Sequence, residues 1–215
     1  MTKVSAADAA ESAAFESNML VLEDSWKLLP AAGTDADSAV EAIVAGFGLT
    51  DSLAASLTLA ISRASDYANA LAPGERRSFA LIGDPQVARV DAVLSVRLSR
   101  VASDAYEQYL ALAQGAAEAN PAVEVIDRTL LEVDLPAGRA IASHDFTLNR
   151  HEDGVPQPAL ERALVALFIS DAPALIEFSL AAQDLTVFED MTGYLLGVVS
   201  KFRTTEHEAN GEATA

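Results

Sequence analysis

Apolar residues along this chain keep two different rhythms, and the change between them near residue 78 predicts the architecture. Val40, Ile43, Val44 and Phe47 recur at helical spacing. Ser38-x-x-Glu41 ahead of them reads as a capping box, in which each side chain satisfies an orphan backbone N–H, and Gly48 is a natural stop. A second helix is predicted from Thr50 or Asp51 to Leu71. Leu53, Leu57, Ile61, Ala64, Ala68 and Leu71 give it one narrow face of small and branched residues, and Pro73-Gly74 ends it. Before these helices, Met19 to Leu29 reads as an extended, partly buried segment ending at Pro30.

From Ser78 the spacing falls to two. Ser78 to Ile82 is a short apolar strand closed by Gly83-Asp84-Pro85. Val90, Ala92, Leu94, Val96 and Leu98 then alternate with Asp91, Val93, Ser95, Arg97 and Ser99, the pattern of a half-buried strand. Asp104-x-x-Glu107 opens a helix that must stop before Asn120-Pro121. Val123 to Leu135 and Arg139 to Leu148 are strand-rich, with turn chemistry between them at Pro136-Ala137-Gly138. Asn149 to Pro158 reads as a loop, Leu164 to Ile169 as a buried central strand, and Ala174 to Leu180 as its partner. Thr186-x-x-Glu189 predicts the cap of a closing helix with Phe188, Met191, Leu195, Val198, Val199 and Phe202 on one side. This order predicts an α+β fold, a mostly antiparallel sheet with helices packed on its faces. The expected organisation is a loosely helical or flexible arm over 1–17, a single α+β domain over 18–205, and a disordered acidic tail over 206–215.

Composition narrows the function classes. Asp and Glu number 32 against 14 Lys and Arg, a formal charge of −18. Such a charge repels phosphate backbones and anionic membranes. The densest basic stretch, Arg76, Arg77, Arg89, Arg97 and Arg100, has only Phe79 as an interleaved aromatic, so nucleic-acid binding is not expected. The absence of cysteine removes disulfides, thiolate metal sites and cysteine nucleophiles. The most apolar stretch, Ala39 to Ile61, is broken by Glu41, Gly46, Gly48 and Asp51, so no membrane insertion is expected. With no secretory signal at the N-terminus, the expected location is cytoplasmic, with signal-independent export left open.

Titratable groups crowd together at one place, Ser143 to Asp153. His144, Asp145, Arg150 and His151 are the candidate ligand-binding residues there. A metal site is not expected. In an extended strand His144 and His151 would lie more than about 20 Å apart, on opposite faces. His207 falls in the acidic tail. No Gly-x-Ser-x-Gly elbow occurs, Gly46-Phe47-Gly48 follows a helix rather than a strand, and there is no phosphate-binding loop. No catalytic residue and no cofactor is therefore assigned. Trp26, with Leu28 and Leu29, forms a candidate interface anchor, although a tryptophan here is more readily explained as core.

Val133-Asp134-Leu135-Pro136-Ala137-Gly138-Arg139-Ala140 resembles the LPAG hairpin of the PsbP-like, or Mog-type, α/β/α sandwich proteins. The element order over about residues 18–205 is similar as well. An actinobacterial branch that includes lipoproteins looks similar, but this chain has no lipid-bearing cysteine. The resemblance implies a binding or accessory protein without shared catalytic residues. The expectation is a non-enzymatic protein-binding or accessory role, associated with secretion or the cell envelope, toward a partner that the charge makes basic. Two alternatives stand beside it: a small-molecule-binding or hydrolytic enzyme using residues 143–153, and a homo-oligomeric structural protein.

Overall fold

The computed structural model describes residues 20–31, 35–71, 76–115, 123–150, 156–170 and 172–202. The expected arm, the acidic tail, His151 and His207 lie outside the described residues. Among these residues, strands β1 (Trp26–Leu28), β2 (Arg76–Leu81), β3 (Ala92–Arg100), β4 (Val123–Leu135), β5 (Gly138–Arg150), β6 (Pro156–Ile169) and β7 (Ala174–Ala182) make a seven-stranded sheet. Its spatial order is β1-β2-β3-β7-β6-β5-β4, and every pairing is antiparallel. Helices α1 (Ala36–Ala45) and α2 (Asp51–Ala70) precede β2, α3 (Ala105–Gly115) follows β3, and α4 (Met191–Ser200) closes the fold. The fold is α+β, as the change of spacing predicts.

Helices cover both faces. On one, Met191, Leu195, Val199 and Phe202 pack on Ala140, Ala142, Ala163, Val165, Leu167, Phe178 and Leu180. The alanines of β5 and β6 leave room for α4 to approach the sheet closely. On the other, Val40, Val44, Leu57, Ile61, Ala64 and Ala68 pack on Ala80, Ile82 and Val93. Farther along that second face, α3 reaches the sheet through long side chains, with Tyr106 and Tyr109 meeting Phe168 edge-on at 5.1 and 5.7 Å. Because β3 lies between two layers it is buried on both sides from Ala92 to Val96, more deeply than the alternating pattern predicts. Buried Ser95 is satisfied there by Ser78, hydroxyl to hydroxyl at 2.9 Å.

Several local expectations are corrected. The cap of α1 is Asp35, which accepts from the Ser38 N–H and hydroxyl at 3.4 and 2.9 Å, so Ser38 lies inside the first turn. Asp190 caps α4 by accepting from the Gly193 N–H at 2.8 Å. Thr186 instead donates its N–H and hydroxyl to Asp184. In both cases an aspartate near the expected cap provides the acceptor. β6 begins at Pro156, inside the segment expected to be a loop. Proline is tolerated at the start of a strand, where no ladder N–H is required of it. The Pro136-Ala137 turn joins Leu135 to Gly138 as expected, with Gly138 at φ +154°.

Candidate ligand site between the sheet and its helices

Side chains alternate across a strand, so His144 and Asp145 must face opposite ways. Asp145 is buried on the face that carries α2 and α3. His144 lies on the α4 side, where its Nε2 is 2.8 Å from Glu161 Oε1 and its ring packs edge-on against Phe146 at 4.9 Å. The structure therefore separates these two candidate ligand residues. Arg150 ends β5 opposite Pro156. The interface trio is also divided. Trp26 and Leu29 are buried and Leu28 is 57% exposed. The Trp26 indole N–H donates to the Tyr194 hydroxyl at 2.8 Å and so ties the edge strand to α4.

The polar concentration on the opposite face was not predicted. Register aligns Arg76, Arg97 and Glu177 across β2, β3 and β7, and Arg128, Asp145 and Arg162 across β4, β5 and β6. Between these rows run Ser78, Ser95 and Ser179, continued by Leu164 and Ser143. A strip of arginine–carboxylate clusters thus crosses the sheet with serines and a leucine along its middle. The signal for it was present in the sequence as arginines, carboxylates and serines on the alternate positions of β3, β5, β6 and β7, the face that period-two spacing alone assigns to solvent. Nothing local could align them, because register between distant strands does so.

Each cluster centres on one carboxylate. Glu177 accepts from Arg97 Nε at 2.7 Å, pairs with Arg97 Nη2, and accepts the Tyr109 hydroxyl at 3.1 Å. Asp145, 1% exposed, is gripped by Arg128 through Nε and Nη2 at 2.7 and 3.1 Å and by Arg162 Nη2 at 2.6 Å. Arg128 also donates to the Ala113 carbonyl at 3.3 Å, which anchors α3. Burial alone would raise the Asp145 carboxyl. The hydrogen bonds and charges of the two guanidiniums outweigh it and hold the carboxyl below its ordinary range. Burial, reinforced by the charge of Glu177, pushes the Tyr109 phenol well above its ordinary value. Burial also raises Tyr67, against the opposing charge of Arg162. Arg76, which donates to the Ala68 carbonyl at 2.6 Å, is lowered by burial and then by the neighbouring charge of Arg97.

Chemically, this arrangement fixes charges rather than moving protons. Asp145 remains ionised and Tyr109 protonated across the neutral range, so neither is poised as an acid or base there. Among the described residues no group of three or more histidine, aspartate or glutamate side chains could hold a metal ion. No described helix is long and apolar enough to cross a membrane.

No protein-family model matches the chain, and no curated protein matches it. Among solved structures, it is similar to cyanobacterial PsbP (CyanoP) from Synechocystis sp. PCC 6803, with a TM-score of 0.42, 13% identity and 88% of each chain covered. It is also similar to PA94, a protein of unknown function from Pseudomonas aeruginosa, with a TM-score of 0.33 and 17% identity over 53% of this chain and 72% of that one.

Proposed function

We propose that this chain is a non-enzymatic binding or accessory protein whose partner is a basic protein. The observation that carries this reading is the sorting of charge. Arg97, Arg128 and Arg162 are drawn onto the sheet and paired with carboxylates. Exposed carboxylates consequently dominate the helical exterior, with Asp35, Asp37, Glu41 and Asp51 grouped around α1 and the start of α2. A negative field of this kind speeds encounter with a positive partner and selects against anionic ones. Its range is about 10 Å at 0.1 M salt, which makes the association sensitive to ionic strength. The test is retrieval of partners from the native host by the tagged full chain at low and high salt. Asp37→Lys and Glu41→Lys, made together, serve as the variant. A basic protein held at low salt, released at high salt and weakened by the variant is the expected result. Recovery indifferent to both salt and variant would end the proposal.

The enzymatic alternative near residues 143–153 retains one observation in its favour, the contact between His144 and Glu161. Among the described residues His144 has no hydroxyl hydrogen-bonded to it, so the pair lacks a nucleophile. Ester turnover abolished by His144→Gln in a folded protein would revive that alternative.

A further inference from the structure

Beneath α3 the strip opens into a cavity of about 220 Å³. Its polar lining is Tyr109, Arg128, Ser143, Asp145 and Arg162, and Leu112, Leu130, Ile141 and Leu164 supply apolar walls. Two guanidiniums therefore line it against a single carboxylate, in a protein whose net charge is −18. Arg162 lines it with a side chain 36% exposed, gives Nη2 to Asp145 and makes no other hydrogen bond among the described residues. The Ser143 hydroxyl makes no hydrogen bond among them either. Both residues therefore have donor capacity to spare at the cavity wall, which an entering acceptor can take up. A fixed guanidinium is also well suited to a carboxylate, which accepts from it in one plane.

We propose that this cavity is a binding site for a small organic carboxylate, with Arg162 and Ser143 holding the carboxylate group and the leucine and isoleucine walls covering an apolar body. The site is distinct from the acidic exterior assigned to a protein partner and goes beyond that reading. Asp145 does not oppose the ligand, because both arginines already neutralise it. Tyr109 keeps its proton and its bond to Glu177, so it bounds the cavity without adding charge. The cavity's size limits the ligand to roughly a single ring or a short branched chain, smaller than drug-sized ligands.

Benzoate is the probe, with benzamide as its uncharged counterpart, each titrated into the full chain and followed by backbone amide NMR. The expected result is saturable shifts for benzoate concentrated over residues 141–145 and 109–113, and much weaker shifts for benzamide. Arg162→Gln should weaken benzoate about tenfold or more, the loss typical of one charge-assisted hydrogen bond. That variant also loosens the grip on Asp145, so Ala113→Leu is the second test. It fills the cavity from α3, leaves every charged group in place, and should abolish the shifts. Arg63→Gln, an exposed change of equal charge outside the cavity, should leave binding unaltered. Equal binding of benzamide, or benzoate shifts that persist in Ala113→Leu, would overturn the site. So would the absence of saturable shifts in the unaltered protein. None of these outcomes bears on retrieval of a basic protein, which stands or falls on its own salt dependence.

Discussion

Asp145 holds two arginines from neighbouring strands on one buried carboxylate, and its energetics follow from that geometry. Removing its charge leaves Arg128 and Arg162 mutually repelling and incompletely paired, so Asp145→Asn should destabilise the fold by about 2–4 kcal/mol at neutral pH. The pH dependence has a definite sign. The folded carboxyl titrates below its ordinary range. Its contribution is therefore complete above the unfolded carboxyl's pKa and is lost as pH falls through the depressed folded value. Urea midpoints measured against pH should show the gap between the two proteins closing in acid, and a constant gap would refute the assignment. Gly138 presents a backbone constraint instead of a charge. At φ +154° an added Cβ would overlap the Phe168 carbonyl oxygen of the neighbouring strand. Gly138→Ala should accordingly cost about 2–3 kcal/mol, seen as a lowered thermal midpoint, although the site is only a turn exit.

At the scale of elements, β1 is the least secured part of the sheet. It has three residues, pairs among the described residues only with β2, and relies on Trp26 to join it to α4. Trp26→Phe keeps much of the buried ring but removes the donor to Tyr194, at about 1 kcal/mol. Amide exchange should then quicken at Leu29 and Ile82, whose N–H groups bond to Ser78 and Ser25, while the centre of β5 is unchanged. Uniform acceleration across the sheet would show that β1 is not a separately opening unit. The period of the sequence revealed the elements well because burial imposes it. Val40, Ile43 and Val44 had to line a helix, and the apolar run from Leu164 to Ile169 had to be interior strand. It failed where a different force decides. The early part of β6 is held by pairing with β5 across a register shift rather than by an apolar pattern. The helix caps depend on which of several nearby polar side chains reaches the N–H groups. The candidate site was legible only in part. Crowding along the sequence groups Asp145 with His144, yet its partners are Arg128 and Arg162, each 17 residues away and aligned by strand pairing.

At the scale of the whole molecule, the sheet has two edges, and the longer decides whether the protein associates with itself. β4 is 13 residues long, has no strand on its outer side among the described residues, and carries Ile126 and Leu131 at 57% and 47% exposure. An edge of that length is a template for another strand unless something guards it. Here exposed Asp127, Glu132 and Asp134 lie along it, and the register slips between Val125 and Asp127, which bends the strand away from a flat pairing geometry. Two such edges brought together would align carboxylates against carboxylates, on top of the repulsion between copies that each carry −18. The homo-oligomeric alternative is therefore disfavoured, and the chain should behave as a monomer of 22.5 kDa in moderate salt by light scattering. Replacing Asp127 and Asp134 together with threonine removes two guards and raises strand propensity without altering the core. That variant should self-associate as salt is raised, with little change in folding stability. A stable dimer of the unaltered protein, or a double variant that stays monomeric at high salt, would show that charge on β4 does not set the oligomeric state.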